Sequence, residues 1–201
     1  MKKLLLFMVS LGVTFSLFLG NVSAIEKPEV TDHEKVKINL FHSSSCSHCK
    51  DFLKYFGENW VDYEDYFEVV TYEVSSSPEN GKVLDAVKKA LNNDDEGVPF
   101  ITIGGTYFKV GFGKSTGKEI IEEALKEYQN KNYIDLVGTT IKENKLDSKK
   151  ETLKEACASG EIKFVEKDKK NKISDNVVIT IIFAVVIGGF VALMFSSRNK
   201  D

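Results

Sequence analysis

The chain has 201 residues, 42% of them hydrophobic, and a formal net charge of −3. Its 27 Lys and Arg are interleaved with 30 Asp and Glu, so no basic surface speaks for nucleic acid. Three cysteines are too few to staple a small disulfide-rich domain. Residues 1–24 read as a secretory signal: Lys2 and Lys3 form the positive start, LLLFMVSLGVTFSLFLG the apolar run, and Val22-Ser23-Ala24 the cleavage site. Cut there, the mature chain begins near Ile25; uncut, the segment is an anchor. In both cases Lys2 and Lys3 stay inside and the chain beyond the signal is exported.

A polar lead occupies 25–34, and alternation in KVKINLF predicts a strand near 36–42. Cys46 and Cys49 follow at once, on the first turn of a helix that carries Phe52, Leu53 and Phe56 at helical spacing. YFEVVTYEV, residues 66–74, is a second strand. Ser77 as N-cap and Pro78 at the first helical position open a helix with Val83, Leu84, Val87 and Leu91 on one face. After the turn DDEGVPF, PFITIGG is a third strand, and Gly104 and Gly105 reverse the chain into a fourth, TYFKVGF. Thr116 and Glu119 form a capping box before the helix KEIIEEALKEYQ. The order β-α-β-α-β-β-α predicts an α/β fold with a central mixed sheet flanked by helices.

Residues 132–175 read as a charged tail. YIDLVG is a short strand or a packing segment, Ser148 and Glu151 cap a small helix ending at Gly160, and VEKDKKNK is a solvated spacer. Val177–Phe195 is uncharged, apolar all round and long enough to cross a bilayer, which predicts a transmembrane helix over 176–197. Residues 198–201 then stay inside. The expectation is a domain tethered to the cell membrane by one pass and facing outward; this layout and the lysine- and asparagine-rich composition suggest a bacterium.

Two nearby cysteines in an oxidising exterior are not expected to stay idle. A zinc site needs four ligands, and the candidates are Cys46, Cys49, His48 and His42. His48 lies between the cysteines, where its ring would struggle to join them around one ion. There is no second Cys-x-x-Cys, so no metal and no cofactor are expected. The placement argues for redox chemistry, because the free N–H groups and dipole of a helix N-terminus favour a thiolate. Cys46, nearer the tip, is the expected attacking sulfur and Cys49 the resolving one. Protonated His48 would add to the stabilisation of the Cys46 thiolate. His42 either faces the pair or is an ordinary histidine. Cys157 either fills a small apolar site with Leu153 and Ala156, or forms an intermolecular disulfide or third redox thiol. Trp60 and the phenylalanines are core residues. Gly113–Thr116 (GKST) lacks the first glycine of a phosphate loop, since position 108 is Phe.

A strand, Cys46-Ser47-His48-Cys49 at a helix tip and Gly97-Val98-Pro99 leading into a strand together resemble the thioredoxin superfamily over residues 35–131. The resemblance implies that Pro99 is cis and lies beside the cysteine pair, and that the backbone of Val98 pairs with a substrate chain. The Cys-x-His-Cys motif and the valine before the proline are similar to DsbA-type oxidases. The chain has no room for the helical insertion of those proteins and resembles the bare thioredoxin or glutaredoxin core. It departs from the family at Leu40, six residues before Cys46, where a buried acid is usual. The expected activity is thiol–disulfide exchange with exported proteins that carry cysteine pairs, recycled by a membrane redox partner. A reductase supplied by a membrane donor, or a module that binds metal or peptide without turnover, are the other readings.

Overall fold

The computed structural model describes residues 25–167. The expected signal at 1–24 and the apolar run at 177–195 lie outside them. Among the described residues no helix is long and apolar enough to cross a membrane.

The fold is α/β, built on a mixed five-stranded sheet of order β4-β3-β1-β2-β5. β1 (Val36–His42) is central, with every residue but Lys37 buried. A strand covered on both faces reads as a near-continuous apolar run, and NLFH is where its alternation fails. β2 (Phe67–Glu73) pairs with β1 in parallel, from Val36↔Phe67 to His42↔Glu73. β3 (Phe100–Ile103) runs antiparallel to β1, and β4 (Tyr107–Val110) antiparallel to β3. Of the two turn glycines between β3 and β4, Gly104 takes the left-handed conformation, at φ +62°.

Helices cover both faces. On one, Val36, Ile38 and Leu40 pack against Phe52 and Phe56 of α1 (Ser47–Asn59) and Ile120, Ile121 and Ala124 of α3 (Lys114–Tyr128). On the other, Phe41, Tyr72 and Phe100 meet Val83 and Val87 of α2 (Pro78–Ala90) and Val137 of α4 (Leu136–Asn144). Ser77 caps α2 through the Asn80 N–H, with Pro78 in the first turn, as its sequence predicts. Trp60, in a short 3-10 turn, packs at the core edge with its ring 6.3 Å from those of Phe67 and Phe164.

Three local expectations are corrected. α3 starts two residues before Thr116, with Gly113 as an N-cap that gives no side-chain bond. The Glu119 carboxylate is engaged across the turn instead, by Lys109 Nζ at 3.0 Å and the Tyr107 hydroxyl at 3.1 Å. YIDLVG is not a strand: the Asp135 side chain accepts from the Gly138 N–H and opens α4, whose Val137 packs in the core. The capping box expected at Ser148 and Glu151 sits four residues later, at Thr152 and Glu155, and caps α5 (Leu153–Ser159). Lys150–Thr152 form β5, antiparallel to β2. The chain thus adds packed elements beyond residue 131, and α5 buries Leu153, Ala156 and Cys157 in the core beneath α1.

Asn80 ties this last segment to the body. Its amide donates to Glu73 O and Lys149 O, both at 2.8 Å, and accepts from the Lys149 N–H at 2.8 Å. The side chain is buried, so its loss strands backbone groups away from water. Asn80→Ala is expected to lower unfolding free energy by about 1–3 kcal/mol in urea denaturation. An unchanged midpoint would mean that these bonds are replaced at no cost.

Candidate functional site

β1 ends at His42, and the chain turns through three serines into α1. The Ser43 carbonyl accepts the Cys46 N–H at 3.1 Å, which closes the turn. Cys46 is itself the N-cap of α1, in extended backbone (φ −80°, ψ 119°). Its sulfur takes the place of the oxygen that usually caps a helix, accepting the Cys49 N–H at 3.2 Å. Cys46 is half-buried, and Cys49, one turn on, is buried at 1% exposure. Burial, with the hydrogen bond to Cys46 second, pushes the Cys49 thiol up to about 12, while the backbone of Ser43 pulls it the other way. The pair is therefore asymmetric: one sulfur reachable, the other covered and firmly protonated.

The loop before β3 completes the site. Because β3 is antiparallel to β1, its start lies at the end of β1 and so beside the tip of α1. The Val98–Pro99 peptide is cis, and Gly97 before it has φ +108°, a conformation suited to glycine. The Cys46 thiol donates to the Val98 carbonyl at 3.4 Å. Cys46, Cys49, Val98 and Pro99 are thus brought together from segments about 50 residues apart. His48 points to solvent, with its Nδ1 3.9 Å from Asp51 Oδ2 and both side chains 66% exposed.

Leu40 is fully buried in the core, leaving no carboxylate at that position on β1. His42, whose role the residues alone leave open, is buried at 5% exposure and its Nε2 has no hydrogen-bond partner. Burial holds its pKa below the ordinary value, against an opposing pull from Glu73. Cys157 is wholly buried, its thiol aimed at the Leu53 carbonyl 3.5 Å away, and burial pushes that thiol up to about 11. A Cβ on Gly57 would meet this sulfur at 3.0 Å, so α5 lies closely against α1. Among the described residues no group of three or more His, Cys, Asp or Glu is placed to hold a metal ion. Ser43, which touches both cysteines through its backbone, has as its only local signal a serine after a strand, too little to mark it in the sequence.

No protein-family model, curated protein or solved structure matches the chain. The mixed sheet with flanking helices and the close Cys-x-x-Cys pair fit a thioredoxin-like arrangement, and such a pair is consistent with redox chemistry.

Proposed function

We propose that the protein is a thiol–disulfide oxidoreductase of thioredoxin-like fold, exported and tethered to the cell membrane by its C-terminal apolar segment. It exchanges disulfides with exported proteins that carry cysteine pairs. The observation that carries this reading is the half-buried Cys46 sulfur, which accepts an N–H at the tip of α1 and lies 3.4 Å from the Val98 carbonyl.

In the oxidising direction a client thiolate attacks Cys46 of the Cys46–Cys49 disulfide. That bond breaks, Cys49 leaves as a thiolate and takes up a proton, and a mixed disulfide joins Cys46 to the client. A second client thiolate then attacks the client sulfur and releases Cys46, so two electrons pass from client to protein. The reverse sequence, resolved by Cys49, reduces a client disulfide. An extended client segment lying along the Val98 backbone would be held by main-chain hydrogen bonds. His48 lies between the two cysteines in the sequence and is exposed to solvent.

Equilibration of the Cys46–Cys49 couple against glutathione tests the reading and its direction. A potential near about −120 mV identifies an oxidase that donates disulfides; one near about −270 mV identifies a reductase needing an electron-supplying partner. A pair that forms no disulfide across the whole glutathione range overturns the proposal.

A further inference from the structure

A buried thiol held up to about 12 is a poor nucleophile and, as a leaving group, must be protonated as it departs. Something must carry that proton, and Leu40 offers no carboxylate. Three observations point to the neighbouring position on the same face of β1. Side chains alternate along a strand, so His42 shares a face with Val36, Ile38 and Leu40, the face that packs against Phe52 and Phe56 of α1. Cys49 is the first residue of that buried helix face, followed by Phe52, Leu53 and Phe56 at helical spacing. Three residues separate the end of β1 from the Cys46 cap, so the last inward residue of the strand and the first inward residue of the helix flank the same short turn. The backbone of Ser43, the very next residue, already reaches the Cys49 sulfur.

Strand register fixes the flanks. His42 pairs with Glu73 on β2. Continuing the pairing Phe41↔Phe100 by one residue sets it opposite Pro99. The charged or titratable groups on the elements next to it are Glu73 on β2 and Cys49 and Cys46 on α1, while Val98–Pro99 carries none. Its Nε2 is buried without a partner, a costly arrangement unless the atom has another use.

We propose that His42 is the proton-transfer group for Cys49. This rests on the redox function proposed for the cysteine pair. When the disulfide closes, neutral His42 takes the proton from Cys49, and the resulting thiolate attacks Cys46 in its mixed disulfide with the client. The Cys46–client S–S bond breaks and the client sulfur leaves as a thiolate, protonated from solvent. When the disulfide opens, protonated His42 returns the proton to the departing Cys49. Burial keeps the imidazole neutral at neutral pH, the form that accepts.

Mixing the full-length dithiol protein with DTNB separates the steps. One thionitrobenzoate is released as Cys46 is captured, and a second as Cys49 closes the disulfide. In the wild type the second phase should be flat above an inflection on the acid side of ordinary histidine and fall below it. In His42→Asn and His42→Gln it should be roughly 100-fold slower at neutral pH, rising about tenfold per pH unit as Cys49 ionises unaided. Variants that keep the wild-type rate and profile overturn the proposal while leaving the redox reading intact. A wild type with no second phase removes both. Should the variants not fold, imidazole nitrogen shifts of the wild type decide the matter, assigned with His33→Gln and His48→Gln. His42 should titrate at different pH in the dithiol and disulfide forms, and identical titrations overturn its role.

Discussion

Cys49→Ser should convert the protein into a trap that stays joined to its clients. With the resolving sulfur gone, a client disulfide attacked by Cys46 has no partner inside the protein to displace it, and the mixed disulfide accumulates. Non-reducing gels of cells that make the variant should show higher-mass bands carrying the protein, all collapsed by reductant. Cys46→Ser should show none and reduce exchange to the uncatalysed level, because Cys49 is 1% exposed and held near 12 and Cys157 is wholly buried. The contrast between the variants is the diagnostic. Equal trapping by both would mean that Cys49 is as accessible as Cys46, contrary to its place on the buried face of α1.

Leu153→Ala should destabilise the whole domain by roughly 2–5 kcal/mol in equilibrium unfolding. Leu153 is 2% exposed and begins α5, which lies with Ala156 and Cys157 in the cluster that holds Phe52 and Phe56. If α5 were a solvated element on a spacer, truncating one leucine would change stability by only a few tenths of a kcal/mol. A large, cooperative loss places residues 153–159 inside the folding unit. A small one, or a separate low-temperature transition, makes them a detachable flap.

Where local signals carried the information, the fold was legible. The alternation before the cysteine pair, the Ser77–Pro78 cap and the glycine turn between β3 and β4 each resolve within a few residues. Two overlapping patterns near the end of the domain, Ser148 with Glu151 and Thr152 with Glu155, satisfy the same capping rule. What selects the second is pairing of Lys150–Thr152 with β2, an interaction across about 80 residues that no local window contains. Glu119 was drawn from its expected cap in the same way, by Lys109 and Tyr107 on β4. α4 is nine residues long and begins at Leu136, inside YIDLVG, whose Tyr133, Ile134 and Val137 also suit a strand. The cysteine pair was legible as a motif, but the burial of His42 was not, because it depends on neighbours from both adjoining strands and a helix.

The Val165 N–H binds the Gly57 carbonyl at 2.9 Å, and the Phe164 ring lies 6.3 Å from that of Trp60, so residues 164 and 165 are held near the end of α1. Cys46 is at the other tip. Eleven residues of helix at about 1.5 Å each separate the two points by roughly 16 Å along the axis. The Val165 contact and the Cys46 sulfur lie toward opposite ends of one helix. Residues 164 and 165 therefore brace α1 from the end farther from the Cys46 sulfur.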